Sequence, residues 1–163
     1  MIELRSGRIK DIESMYELFQ ELKKEKAQVG FTDIKGLHEL KEWIEDESIY
    51  LYVAVDTANE KVVGVLRGKR GSSYKYHSVF LTAAVSKNYR GESIAKNLTN
   101  FGLNLLAREG VLIARTYVYS NNKASLNTLL ACGFTISGTV YMHHFSEASG
   151  QYVDDIIVHK VLK

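Results

Sequence analysis

The chain changes period once, between residues 78 and 108, and that change limits its folds more than any other feature. Ser78-Val79-Phe80-Leu81-Thr82-Ala83-Ala84-Val85 is an apolar run of strand length. After Arg90-Gly91-Glu92-Ser93, the residues Ile94, Leu98, Phe101 and Leu105 recur at helical spacing, with Lys96, Asn97 and Asn100 between them. A strand therefore passes through a tight, glycine-bearing turn into an amphipathic helix. The first turn of such a helix has amides without an intrahelical acceptor, and the aligned peptide dipoles make that end positive. The expectation is a turn that holds an anion, phosphate above all, with Arg90 adding a full charge beside it. Taken alone, the same residues also describe a plain turn with Arg90 in solvent.

At 163 residues the chain has the length of one domain, 1–163, with enough apolar residues for a core. A net charge of +2, with no run of Lys or Arg, argues against a nucleic-acid partner. No apolar stretch approaches a membrane span, and no secretory signal core opens the sequence. The single cysteine, Cys132, rules out an internal disulfide and fits a reducing compartment, so the expected location is the cytoplasm.

Residues 2–5 alternate as a first strand, and Ile12, Met15, Tyr16, Phe19 and Leu22 give a helical stripe. Leu37, Leu40, Trp43 and Ile44 make a second helix. Residues 49–55 and 61–67 read as a hairpin about Asp56-Thr57-Ala58-Asn59, followed by a polar loop over 68–75. Gly110 ends the central helix, residues 111–119 form a strand, and 122–132 a short helix that Asn122 caps and Gly133 terminates. Residues 134–145 and 152–161 form a closing hairpin whose exposed edge is compatible with a homodimer. The order β–α–α–β–β–β–α–β–α–β–β predicts an α/β (α+β) protein: a mixed central sheet of about seven strands flanked by four helices.

Arg90-Gly91-Glu92-Ser93-Ile94-Ala95 resembles the acetyl-CoA loop of the GNAT (GCN5-related) N-acetyltransferases, R/Q-x-x-G-x-G/A, with Ser93 in place of the usual glycine. A side chain there limits how closely backbone approaches a pyrophosphate, whereas its hydroxyl offers a donor to phosphate or a helix cap. The segment from Asn122 through Ser125 to Gly133-Phe134 resembles the family's N-x-x-A/S…Y-x-x-x-G-F element, and the whole order of elements matches the GNAT-like acyl-CoA N-acyltransferase fold. The resemblance implies acetyl-CoA (CoA) as cofactor. It also implies that the strands 81–85 and 115–119 splay to admit the pantetheine arm. The residues it assigns to the cofactor are Ala83, Val85, Arg90, Gly91, Glu92, Ser93, Ile94, Ala95, Asn122 and Ser125.

The implied activity is transfer of acetyl to a primary amine by direct attack in a ternary complex. The acceptor is a small molecule, an amino acid, a polyamine or a protein N-terminus. Such a reaction needs a proton acceptor for the amine and a fixed donor for the carbonyl oxygen. Where many family members carry a tyrosine that protonates the thiolate, this register places Leu129, and the strand before the loop has no carboxylate. His77, Tyr117 and His143 are therefore the catalytic candidates, with His144 and Tyr119 beside them, because histidine titrates in the useful range. His143 and His144 are adjacent on a strand and are expected to face opposite ways, which with the absence of zinc spacing argues against a metal. In this fold the segment 27–33 and the closing hairpin line the acceptor site. Phe31, Tyr141 and Tyr152 are its expected aromatic walls, and Glu147, Asp154 and Asp155 the groups that attract a cationic amine. Leu129 and the carboxylate-free strand also motivate a second reading, a non-catalytic acyl-CoA-binding module that senses or recruits. The lack of a P-loop lysine or a full dinucleotide glycine set disfavours other nucleotides.

Overall fold

The computed structural model describes residues 1–27 and 30–162. Its elements run β1 (Ile2–Ser6), α1 (Ile12–Lys24), α2 (Leu37–Glu45), β2 (Ile49–Asp56), β3 (Lys61–Arg70), β4 (Ser78–Val85), α3 (Ile94–Arg108), β5 (Ile113–Tyr119), α4 (Lys123–Ala131), β6 (Thr135–Ser146) and β7 (Gln151–Val161). The strands form one seven-stranded sheet in the order β1-β2-β3-β4-β5-β7-β6. Every neighbouring pair is antiparallel except β4 and β5. The mixed sheet and four helices are those the periodicity predicts. No helix among the described residues is long and apolar enough to cross a membrane.

Alternation along β2 to β4 sends apolar side chains to both faces, so two cores form. On one face Val53, Val62, Val65 and Ala84 pack with Met15, Phe19 and Leu22 of α1 and Leu40 and Trp43 of α2. On the other, Leu66, Val79 and Leu81 pack with Leu98, Leu103 and Leu106 of α3. Gly102 lies inside α3, where glycine ordinarily costs about 1 kcal/mol relative to alanine. Here the helix crosses the sheet so closely that a Cβ would stand 2.4 Å from Leu66, and glycine is what fits.

β3 is longer than its sequence pattern predicts, reaching Arg70 instead of ending at Arg67. The extension holds because Arg70 is buried, with its guanidinium donating to the Tyr50 hydroxyl and to the carbonyls of Tyr76 and Glu109. β5 begins at Ile113 rather than residue 111, since Val111 instead enters the α3-side core. α1 and α2 cover their face only over β2 to β4. The same face of β5, with Tyr117 half exposed, is left open beside them.

Candidate active site

Parallel pairing of β4 with β5 covers only Ser78, Val79 and Phe80 against Ile113, Ala114 and Arg115. Beyond that the strands part, and Thr116 Oγ1 donates to the Leu81 carbonyl at 2.8 Å across the fork. On the other edge of β4, the Ser86 amide donates to the Val63 carbonyl of β3. Strand alternation then puts the amides and carbonyls of Leu81, Ala83 and Val85 on the edge that faces β5, where no strand meets Ala83 or Val85. The expected splay is present, and those two residues line it through their backbone.

The turn after β4 is tied down from two sides. Tyr89 donates its hydroxyl to Asp56 Oδ2 at 2.6 Å. That bond holds the Asp56 carboxyl below its usual range, helped by the Ala58 amide, and raises the Tyr89 phenol. Arg90 reaches Glu25, beyond the end of α1, with Nη1 and Nη2 at 3.0 and 2.6 Å, and its Nε donates to the Val85 carbonyl. The guanidinium thus neither stands alone in solvent nor faces the helix end as a free charge.

Gly91 and Ser93 both lie in the left-handed region, at φ +85° and +63°. At Gly91 a Cβ would meet nothing within 4 Å, so the backbone there is open to approach. Ser93 is the N-cap of α3, but its side chain makes no capping bond, so of the two uses expected of its hydroxyl the helix cap is not the one found. Asn97 is the first helical residue whose amide finds a carbonyl, that of Ser93, leaving the amides of Ile94, Ala95 and Lys96 unengaged among the described residues. Glu92 and Ser93 are exposed, Ile94 is buried under the turn, and Ala95 is half-buried. Asn122 caps α4 as expected, its Oδ1 accepting from the Ser125 amide at 3.2 Å, so its NH₂ group remains to donate elsewhere. Gly133 turns out of α4 at φ +92° and Phe134 enters the core. Bare amides, an open glycine and an unpaired strand edge converge on one end of the sheet. This set of donors suits a diphosphate with an amide-bearing tail.

The catalytic candidates separate. His77 stands before the first residue of β4, about 26 Å along that strand from Val85 at the usual rise, with its carbonyl accepting from Leu112 and Ile113. Strand direction alone puts it at the wrong end for the fork, and it is set aside. Tyr117 lies on the open face where the strands begin to part, edge-on to Phe80 with centroids 5.1 Å apart. His143 and His144 do not face opposite ways. Between Val140 and His144 the register with β7 breaks, Met142 takes φ +48°, and its amide donates to Asp154 Oδ1. That bulge brings both rings to Asp155, with His143 Nε2 at 3.4 Å from Oδ2 and His144 Nδ1 at 3.9 Å from Oδ1.

Asp155 is 3% exposed, and its Oδ1 and the facing His144 Nδ1 have no hydrogen-bond partner among the described residues. The His144 ring lies 4.0 Å from that of Tyr119, the residue paired with Asp155 across β5 and β7. Burial, then the charges of Asp155 and Asp33, raise the Tyr119 phenol, so it stays protonated and able to donate. Among the described residues no group of three or more metal-ligating side chains converges.

The expected acceptor walls fare differently. Phe31 is fully buried, stacked 4.7 Å from Phe19 and 5.7 Å from Trp43, so it is core and presents no surface to a ligand. Tyr152 lies three residues from Asp155 on β7 and so points to the opposite face, against Phe145. Tyr141, at the bulge, is 79% exposed. Of the segment 27–33, Gln28 and Val29 lie outside the described residues. Gly30 approaches β4 so closely that a Cβ there would stand 3.0 Å from Thr82 Cγ2. The sequence reading passed over Arg67, which lies on β3 with Trp43 4.5 Å beneath its guanidinium. Its signal in the sequence was weak: an arginine directly after the apolar run Val62–Leu66, with Lys69 and Arg70 close behind it.

The sequence model of the acetyltransferase (GNAT) domain matches residues 4–157. No curated protein matches the chain in sequence. Among solved structures, a GNAT-family acetyltransferase of Streptococcus pneumoniae superposes with a TM-score of 0.88 at 16% identity, over 100% of both chains. A ribosomal-protein-alanine N-acetyltransferase of Brucella melitensis has a TM-score of 0.86 at 19% identity, covering 98% of this chain and 99% of that one. A phosphinothricin acetyltransferase of Sinorhizobium meliloti, in complex with AcCoA, has a TM-score of 0.86 at 18% identity, over 99% and 88%. With the fork, the bare helix end and this match over nearly its whole length, the chain belongs to the GNAT acetyltransferase family.

Proposed function

We propose that the protein is an acetyl-CoA-dependent N-acetyltransferase that moves acetyl to a primary amine by direct attack in a ternary complex. The observation that carries this reading is the fork between β4 and β5, opening beside the unengaged amides of α3. Ile94, Ala95 and Lys96 would hold the diphosphate through their amides, with Gly91 giving backbone access. Asn122 Nδ2 offers a donor to the amide-bearing arm. When bound, the co-substrate supplies an acetyl thioester at the fork. The backbone of Ala83 and Val85 faces that point and can donate to a carbonyl oxygen.

The roles of base and acid go to the cluster that the bulge assembles. Asp155, buried and short of partners, attracts the incoming ammonium and orients His143 and His144, either of which can take its proton. Tyr119, kept neutral, is the donor nearest to that pair and takes the part that Leu129 cannot play. Tyr117 stands at the fork as the second phenol. Holding amine and thioester together supplies much of the remaining rate, ~7–11 kcal/mol in favourable cases. The reading treats residues 1–163 as one such domain, working in the cytoplasm where acetyl-CoA and a free Cys132 coexist. It includes a homodimer through β6, an edge strand with Ile136, Val140 and Met142 exposed.

The test is to offer acetyl-CoA with panels of amines, amino acids, amino sugars and peptides and to follow free thiol. Acceptor-dependent release that drops about 10²-fold in Asp155→Asn and Tyr119→Phe is expected. Tight acetyl-CoA binding with no release from any acceptor would favour the second reading, a non-catalytic acyl-CoA-binding module, for which Leu129 at the usual tyrosine position speaks.

A further inference from the structure

Arg67 sits in the middle of β3, paired with Thr82 of β4, on the face that α1 and α2 cover. Its guanidinium is sandwiched against aromatic rings, 4.5 Å from the centroid of Trp43 and 5.4 Å from that of Phe31. Its one hydrogen bond among the described residues is a long one, Nη2 to Thr82 Oγ1 at 3.3 Å. Nε is buried and has no partner among the described residues, and none of their carboxylates lies within ion-pair distance. Asp33 and Glu39 act on it only through space. The other arginines taken out of water that the structure describes are matched: Arg5 by a two-pronged bond to Asp11, and Arg70 by three oxygens. Arg67 is the exception, and it lies one strand away from the fork, across β4.

Alternation puts Arg67 on the Val65 side of β3, and Tyr119, with its partner Asp155, on the side of β5 opposite the α3-facing Ala114 and Val118, so the arginine and the Asp155 cluster share one side of the sheet. The fork lies between them, since β3, β4, β5 and β7 are successive strands. One side of the opening therefore carries a fixed cation with donors to spare, and the other a buried carboxylate with an acceptor to spare. A planar guanidinium held by rings and short of partners is built for a two-oxygen anion.

We infer that Arg67 is the specificity-determining residue of the acceptor site, and that the acceptor is an amine that also bears an acidic group, a carboxylate or a phosphorus acid. This deepens the acetyltransferase reading and rests on it. It separates the acceptor classes that the sequence left open: an acid-bearing amine fills both poles, whereas a purely cationic polyamine meets Arg67 with like charge.

The experiment compares kcat/KM for L-amino acids and 2-aminoethylphosphonate with the values for their amides or esters, and for spermidine. Wild type, Arg67→Met and Arg67→Lys are compared, with acetyl-CoA affinity as the control for folding. Wild type should prefer the acid over its neutral counterpart by at least about tenfold. That ratio should collapse toward one in Arg67→Met, which keeps the aliphatic packing, and recover in part in Arg67→Lys. A wild-type ratio near one, spermidine as the preferred acceptor, or a ratio unchanged in Arg67→Met would each overturn the inference.

If no compound is turned over, thermal shifts by the same pairs in the presence of CoA decide. Acid-dependent stabilisation lost in Arg67→Met supports the subsite, and none in wild type sinks it. Failure of CoA to bind would instead defeat the acetyltransferase reading, leaving the acid-dependent shifts to judge Arg67.

Discussion

Thr116 Oγ1 donates to the Leu81 carbonyl at 2.8 Å at the place where β4 and β5 cease to pair. A side chain here satisfies an acceptor that a continuing ladder would have reached, so the sheet opens without leaving a buried carbonyl bare. Thr116→Val keeps the shape and removes the donor. It should lower stability by about 1 kcal/mol, a Tm fall of about 2–4 °C by calorimetry. An unchanged Tm would mean that water serves that carbonyl as well as threonine does.

Ser93 occupies a backbone conformation that an L-residue adopts at a cost of about 1–2 kcal/mol, at φ +63°, and its hydroxyl returns no capping bond. Ser93→Gly should therefore stabilise the protein by about 1 kcal/mol in urea unfolding. Gly91→Ala should do the reverse by a similar amount, through backbone strain alone, because a methyl group there has free space. A Ser93→Gly variant less stable than wild type would show that the hydroxyl has a partner of real strength.

Glu25 holds the guanidinium that the proposed diphosphate site calls for, at 2.6 and 3.0 Å. The pair is partly exposed, so its worth is about 1 kcal/mol or less. If phosphate competes with Glu25 for Arg90, Glu25→Gln should tighten CoA binding up to about fivefold at low salt, with the gain fading as ionic strength rises. Arg90→Gln should weaken binding. Titration calorimetry at two salt concentrations reads both, and equal affinities for all three proteins would remove Arg90 from the site.

Asp11 joins the first strand to the first helix. It is 5% exposed, accepts from Arg5 Nη1 and Nη2 at 2.7 and 2.9 Å, and accepts from the Arg8 amide. Burial pushes its carboxyl up, but the Arg5 bonds, the Arg8 amide and the Arg5 charge outweigh that and leave it below the usual range. A carboxyl whose folded value is depressed contributes stability above its unfolded value, about 3.9, and loses it as pH falls through the folded one. Asp11→Asn should cost about 3 kcal/mol at pH 7, or about 6–12 °C in Tm, by leaving Arg5 with only the more exposed Glu3 carboxylate and the Ser6 carbonyl. It should also flatten the loss of stability below pH 4. A variant with the wild-type acid profile would assign that loss to other carboxylates.

The order of elements was legible because it rests on local period. Alternation marks β1, a run of β-branched and aromatic residues marks β2, and the helical stripe of Met15, Phe19 and Leu22 marks α1. Asn122 and Gly133 signal the two ends of α4 through chemistry that acts within a few residues. Phe31 misled for the opposite reason. An aromatic residue in a loop looks the same in sequence whether it faces solvent or Trp43, and only the docking of α1 on α2 decides.

By itself, then, the sequence determined the elements, the strand–turn–helix that ends in bare amides, and the family they belong to, since each follows from neighbours along the chain. The tertiary structure alone decided the rest. A bulge near Met142 turns two histidines toward one carboxylate, and Arg67 packs on Trp43 with no counterion among the described residues. Such arrangements depend on register and on which faces meet, and neither quantity is written in any short stretch of residues.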